Sequence, residues 1–186
     1  MARAVYGAED LVDANLERGA QLVLSDGPLQ IGWRHSGLTS DFIAEVMSMP
    51  YAVKKSDYAV VHHSIAYLTN ELIENAVKFR LPSEIVIEAC LAATTVVVRV
   101  KNAVDAETSA AFQRKLRTIL DRDPGELLIQ QIEENAISDG NGSGLGLLTL
   151  LSDYGARMAW EFNDIDDSSV ILTTTAAISI PMASNT

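Results

Sequence analysis

Three side chains that could bind a phosphate and move a proton lie close together in the segment Tyr67–Arg80. Glu71 and Asn75 stand four residues apart, and Lys78 follows three residues later. In a helix this spacing places successive members on one face, about one turn apart. A carboxylate, an amide and an ammonium so arranged could hold a hydroxyl or water, a hydrated magnesium ion and a phosphate. The same trio also occurs as the solvated edge of a helix, where Glu74 and Lys78 form an ordinary i,i+4 pair.

The element that must position these side chains is predicted to be an amphipathic helix. Its apolar stripe consists of residues spaced three or four apart: Val61, Ile65, Leu68, Leu72, Ala76 and Phe79. Either Ser56 or Asp57 can cap its start. We expect the helix to end at Arg80, because Pro82 lacks a backbone N–H and disfavours the helical conformation in the residue before it.

A second candidate binding element follows about seventy residues downstream, in the glycine-rich run Gly142-Ser143-Gly144-Leu145-Gly146-Leu147. Glycine runs are usually flexible connectors, but this one continues directly into an apolar helix that reaches Leu151. It therefore places unhindered backbone N–H groups at a helix N-terminus, where the helix dipole favours phosphate. Gly144 and Gly146 would let the backbone approach a phosphate without an intervening Cβ.

These two stretches resemble motifs of a known family. The sequence ELIENAVKF, beginning at Glu71, resembles the N-box of the GHKL (Bergerat-fold, histidine-kinase-like) ATPases, which include gyrase, MutL and histidine kinases. The sequence GSGLGLLTLL, beginning at Gly142, resembles the second glycine box of that family. The chain is most similar to its small bacterial anti-sigma-type kinases, in particular the SiaB-type regulators. The resemblance covers roughly residues 30–180 and rests on these two motifs.

The resemblance implies ATP and Mg²⁺ as cofactors and assigns a role to each motif residue. Glu71 would be the catalytic base, Asn75 the metal ligand and Lys78 a phosphate ligand. The nucleotide-binding backbone would be contributed by the run Gly142, Ser143, Gly144, Leu145 and Gly146. The implied fold, which the order of predicted elements also favours, is an α/β (α+β) two-layer sandwich: a mixed, mostly antiparallel sheet with helices on one face.

The sequence departs from the family pattern at the adenine-binding box. Family members carry an Asp-x-Gly-x-Gly motif after the strand that follows the N-box, and its aspartate accepts a hydrogen bond from the adenine amino group. This chain has Asn102-Ala103-Val104-Asp105-Ala106 there, without the first aspartate or either glycine. An amide both accepts and donates hydrogen bonds, so Asn102 could still contact adenine. The alternative is that Asn102 is a turn residue at the end of a strand.

Two functions remain open from the sequence. The first is an ATP-dependent serine/threonine protein kinase that acts on a STAS-like or SiaC-type partner in a partner-switching pathway. The second is a non-catalytic regulator of the same fold that binds its partner without turnover. The intact Glu71-x-x-x-Asn75 spacing favours the kinase, and the missing adenine aspartate favours the regulator. A sensor histidine kinase is disfavoured because no helical segment with a phospho-acceptor histidine precedes the domain. The resemblance also allows a homodimer.

Composition sets the outer bounds of these functions. The 186 residues are expected to form one domain, with an N-terminal extension and first strand in residues 1–30 and a lid-like segment over the nucleotide in residues 121–143. A net charge of −11 argues against binding to nucleic acid or to an anionic membrane. The single cysteine, Cys90, excludes an internal disulfide, and no apolar run approaches the ~20 residues that span a bilayer. We therefore expect a cytoplasmic protein.

The remaining elements are predicted from periodicity and turn residues. Strands are expected at 21–24, 29–34, 84–92, 94–101, 157–163 and 169–180, and further helices at 9–18, 39–49, 105–121 and 126–137. The helix after Asp105 carries a basic run: Arg114, Lys115, Arg117 and Arg122. Such a run is usually a solvated face, and docking of an acidic partner is the alternative.

Overall fold

In the computed structural model, which describes residues 3–16, 19–25, 33–137 and 144–183, a single antiparallel sheet carries the helices. The described strands lie in the order β1-β5-β6-β4-β3-β2, and every neighbouring pair is antiparallel. They are β1 (Arg3–Gly7), β2 (Ala20–Leu24), β3 (Ile85–Ala92), β4 (Thr95–Asp105), β5 (Arg157–Asp164) and β6 (Ser169–Ser179). The predicted α+β sandwich is confirmed, and the described sheet is wholly antiparallel.

The helices connect these strands and pack against the sheet. They are α1 (Trp33–Ser48), α2 (Lys55–Phe79), α3 (Ala106–Leu120), α4 (Pro124–Ile137) and α5 (Leu145–Ser152). A main core lies between the sheet and helices α1, α2, α3 and α5. A smaller apolar cluster forms where Leu11, in a short 3₁₀ turn, packs against Ala159 and Ala177 on the sheet. No helix in the described residues is long and apolar enough to cross a membrane.

Helix α2 is the element that the sequence predicted best. Its predicted stripe is buried from Val61 to Ala76, whereas Phe79 at the end remains 45% exposed. The helix ends at Phe79, and Arg80 adopts an extended conformation (ψ 150°) as expected ahead of Pro82. Burial of the apolar stripe fixes the orientation of α2 against the core. The polar side chains of α2 therefore lie at the edge of the core.

Strand β4 is longer than the sequence indicated. The prediction that Asn102 ends this strand is wrong, because β4 pairs with β6 along its whole length up to Asp105. Val100, Asn102 and Val104 alternate with outward residues and therefore face the helices. The turn from β3 follows Ala92 as predicted, and Ala93 adopts a positive φ of 50° there.

The N-terminal part of the chain differs most from its predictions. The segment 9–18 was expected to be a helix, but a strand β1 precedes a single 3₁₀ turn at Glu9–Leu11. Helix α1 begins at Trp33, so the predicted strand at 29–34 is wrong for its last two residues, and residues 29–32 lie outside the described part. The buried hydroxyl of Ser40 donates a hydrogen bond to the carbonyl of Ser36 within α1, whereas the buried Ser36 hydroxyl has no hydrogen-bond partner among the described residues.

The C-terminal half follows its predictions closely. Asp105 caps α3, because its carboxylate accepts a hydrogen bond from the Thr108 backbone N–H at 2.7 Å. Asp123 accepts a similar bond from the Glu126 N–H at 2.9 Å, where α4 begins with Pro124 in its first turn. The alternating side chains of β5, from Met158 to Phe162, enter the core as predicted. These caps and strands fix the walls of the cavity described next.

Candidate functional site

A cavity of about 180 Å³ lies between α2, α3, α5 and the helix-facing side of β4. The predicted site residues that line it are Glu71, Asn75, Lys78, Asn102, Gly144 and Gly146. They belong to elements that are far apart in sequence, and the fold brings them to one place. Apolar side chains from the strands form the floor, among them Val100, Met158, Trp160 and Leu172. Such a floor suits a planar, largely apolar group, and the polar residues surround it.

Three other predicted residues are not among those that line the cavity. Gly142 and Ser143 lie outside the described residues. Leu145 is the first residue of α5, next to the two glycines that do line the cavity. The roles of all these residues remain predictions, because their spatial proximity shows only that they could act together.

The Glu71 carboxylate is half-buried and packs against the start of α5. Its Oε2 lies 1.7 Å from the position that a Cβ on Gly146 would occupy, so any side chain there would displace it. Burial raises the pKa of Glu71, repulsion from Glu74 raises it further, and the Tyr67 hydroxyl partly opposes the shift. A carboxylate with a raised pKa is a better proton acceptor, which is the property that a general base needs.

The two polar neighbours of Glu71 on α2 are exposed. Asn75 and Lys78 both line the mouth of the cavity. The Lys78 ammonium lies 5.1 Å from the centroid of the Phe79 ring, a cation–π contact at the end of the helix. Because both side chains are exposed, they can turn toward a ligand in the cavity without disturbing the packing of the core.

Gly144 provides the backbone geometry that the glycine motif predicted. It is the N-cap residue of α5 and has a φ of 103°, a left-handed conformation that favours glycine. Among the residues that the structure describes, no side-chain hydrogen bond caps this helix. The first backbone N–H groups of α5 and the positive end of its dipole therefore lie at the cavity. Both favour the binding of an anion.

Asn102 places a poorly paired amide in the wall of the cavity. Its side chain is 4% exposed, and its amide nitrogen makes one long hydrogen bond, 3.4 Å, to the carbonyl of Ala103. Within the described residues its amide oxygen accepts no hydrogen bond. A buried amide normally has its hydrogen-bonding groups paired, so a ligand that supplies a donor would satisfy it.

The structure adds Lys115 of α3 to the residues around the cavity. Its Nζ lies 3.0 Å from the position of a Cβ on Gly144. The sequence favours a solvated face or a docking surface for the basic run, but Lys115 follows Phe112 by three residues and Thr108 by seven, and both of these line the cavity. That helical spacing was the signal in the sequence, and it could be recognised only with the cavity face of α3 known.

Comparisons with known proteins support the fold. No protein-family model matches the chain, and no curated protein matches it in sequence. Among solved structures, it is similar to a chain in the crystal structure of the SiaB–SiaC complex from Pseudomonas aeruginosa. The TM-score is 0.54 at 15% sequence identity, and the match covers 86% of this chain and 89% of that chain. At this identity the similarity shows a shared fold: the chain has the fold of that member of the SiaB–SiaC complex.

Proposed function

We propose that this protein binds ATP and Mg²⁺ and is a serine/threonine protein kinase that regulates a protein partner. The observation that carries the proposal is the convergence of Glu71, Asn75, Asn102 and the α5 N-terminus on one cavity. A carboxylate, an amide at the mouth, a buried amide and backbone N–H groups at a helix N-terminus can together accept a proton, hold a hydrated metal ion and stabilise charge on phosphates, which are the tasks of phosphoryl transfer.

The residues present fit a purine nucleotide. The unpaired amide oxygen of Asn102 can accept a hydrogen bond from an amino group on the base, and the apolar floor can cover a ring. The left-handed Gly144 puts no Cβ between the α5 backbone and a phosphate oxygen, whereas the Glu71 carboxylate fills the corresponding space at Gly146. Mg²⁺ usually keeps several waters and takes its other ligands from phosphates and one or two side chains, so the oxygen of Asn75 is a sufficient protein ligand.

Each residue then has a distinct task in the reaction. ATP supplies the phosphoryl group that is transferred. Glu71, whose pKa is raised by burial, accepts the proton of the attacking serine or threonine hydroxyl. Lys78 and the α5 N-terminus stabilise negative charge on the phosphates, while Asn75 holds the hydrated metal. Most of the rate enhancement in such reactions comes from positioning and charge stabilisation, which these fixed elements provide.

One observation favours the second function, a regulator that binds its partner without turnover. The cavity of about 180 Å³ is smaller than the ~300 Å³ at which small-molecule sites usually begin. Glu71 also lies tightly against Gly146. A nucleotide with its phosphates at the start of α5 therefore requires α5 to move away from α2.

The SiaB–SiaC complex suggests the kind of partner to test, a SiaC-type protein, and a STAS-like protein is the second choice. The experiment is to incubate the purified chain with γ-labelled ATP, Mg²⁺ and each candidate partner from the same genome. Calorimetry with ATP and Mg²⁺ is run in parallel. Label in the partner supports the kinase. ATP binding without label in either partner favours the regulator, and the absence of ATP binding rejects a nucleotide site.

A further inference from the structure

The amino group of Lys115 is placed against the glycine motif from the opposite side of the cavity to α2. Its Nζ lies 3.0 Å from where a Cβ on Gly144 would stand, so the ammonium is close to the first residues of α5. Lys115 lines this cavity and also a neighbouring one between α3 and α4, which places it at the boundary between the two. Within the described residues it forms no hydrogen bond or ion pair. Its charge is therefore available for a ligand at this point.

We propose that Lys115 binds the phosphate chain of the nucleotide, which is then held between α3 and the N-terminus of α5. This inference rests on the proposed function. It adds Lys115 to the phosphate-binding groups that the glycine motif and the α2 residues supply. Asn102 is independent support for a polar ligand there, because it lines the same cavity, is only 4% exposed, and its amide oxygen accepts no hydrogen bond within the described residues.

The position of Lys115 on α3 supports this role. Thr108, Ser109 and Phe112 face the cavity from the preceding turns, so Lys115 continues the cavity face of the helix toward α5. The other basic residues of the run, Arg114, Arg117 and Arg122, do not line this cavity. Arg117 instead donates a 2.9 Å hydrogen bond to the Tyr6 hydroxyl.

Charge is the second reason. The chain has a net charge of −11, and Glu71 adds a carboxylate inside the cavity, so a triphosphate meets an unfavourable field unless local cations offset it. Lys78 also lines the cavity, but its ammonium lies over the Phe79 ring at the end of α2. Lys115 supplies a cation next to the phosphate-binding backbone itself, where a charge-assisted hydrogen bond contributes most.

The test compares Lys115→Met with Arg114→Met. The two substitutions remove the same charge from adjacent positions, and only the first removes it from the cavity. Affinities for ATP, ADP and adenosine are measured by calorimetry for the wild type and both variants. We expect Lys115→Met to weaken ATP and ADP by about tenfold or more, as loss of a hydrogen bond to a charged group does, and to leave adenosine unchanged. Arg114→Met should stay close to the wild type, and Lys115→Arg should recover part of the loss.

The outcomes separate this inference from the proposed function. If the wild type binds no nucleotide, the proposed function fails and the role of Lys115 fails with it. If the wild type binds ATP and Lys115→Met binds it equally well, only the role of Lys115 is rejected. An equal loss of ATP and adenosine affinity would show that Lys115 supports the structure of the site and does not contact phosphate. Thermal melting without nucleotide identifies a variant that fails to fold.

Discussion

The Glu71 carboxylate on α2 occupies the space into which a side chain at Gly146 of α5 would project. The separation of 1.7 Å between Oε2 and the Cβ position is far shorter than any real contact. The two motifs that resemble the GHKL boxes are therefore coupled through a single side chain. The position of the candidate base depends on the absence of a Cβ on the other helix.

Gly146→Ala should consequently disturb the reaction more than the fold. Because the carboxylate is the end of a flexible side chain, it can rotate away, and alanine favours a helix over glycine by roughly 1 kcal/mol. We expect a melting temperature close to that of the wild type and a fall in phosphate transfer comparable to that of removing the base. Gly37→Ala is the matched control, since Gly37 is also helical and a Cβ there meets nothing within 4 Å. Wild-type transfer by Gly146→Ala would contradict the coupling.

Asn102→Leu tests the buried amide as part of the nucleotide site. The substitution keeps a similar volume in β4 and removes an amide whose only hydrogen bond is 3.4 Å long. We expect the nucleotide-free protein to be at least as stable as the wild type, because leaving a buried polar group poorly paired is unfavourable. ATP affinity should fall by about tenfold in calorimetry. A clear loss of stability with unchanged affinity would make Asn102 a structural residue.

These positions show what the sequence could predict. Helix α2 was predicted to within two residues at each end, because a buried stripe from Val61 to Ala76 and the proline at 82 leave little choice. Asp105 was recognised as the cap of α3 from its residue type alone. The relative placement of Glu71, Asn102 and Gly144 followed from the family resemblance, since nothing local relates positions that are far apart in the chain.

The failures arose where long-range pairing outweighs local preference. The sequence indicated that β4 ends at Asn102. In the structure, eleven consecutive residues of β4 pair with β6, and the strand continues beyond Asn102 to Asp105. Strand β1 was missed because its partner, β5, lies about 150 residues away, with Arg3 opposite Asn163. The sequence places Lys115 in a solvated run because its neighbours in sequence are charged. In the structure it lies beside residues outside that run, Phe112 and Gly144, which line the cavity.

Asn75→Ala tests the metal ligand. The side chain is exposed at the mouth of the cavity, so its removal should leave the melting temperature unchanged. We expect ATP affinity measured with Mg²⁺ to fall toward the value measured with EDTA, because the variant lacks the protein oxygen that the hydrated ion would use. If calorimetry gives the same Mg²⁺-dependent gain in affinity for variant and wild type, Asn75 is not a metal ligand.

The stability of the protein should depend on pH through Glu71. Burial and Glu74 raise its pKa in the folded state, so the folded protein binds this proton more tightly than the unfolded chain does. The free energy of unfolding therefore falls as pH rises from the unfolded value of about 4.3 through the raised folded value. Glu71→Gln removes this loss. The variant should be more stable than the wild type at pH 7, and the difference should disappear near pH 4.

Urea unfolding across this pH range measures the effect. Glu133→Gln is the control, because Glu133 is an exposed carboxylate on α4 and its substitution should leave folding little changed. A stability difference for Glu71→Gln that does not change with pH would mean that Glu71 is not held with a raised pKa. In that case its suitability as a base at neutral pH would lose its physical support.

The most direct test of the account is phosphate transfer by Glu71→Gln. Glutamine keeps the size and hydrogen bonding of the side chain and removes the proton acceptor, so ATP affinity should be retained. Proton transfer by a positioned side chain contributes ~10²–10⁴-fold, and transfer of label from ATP to the partner should fall by a factor in that range. Equal transfer rates for wild type and variant at equal ATP affinity would contradict the assignment of Glu71 as the base.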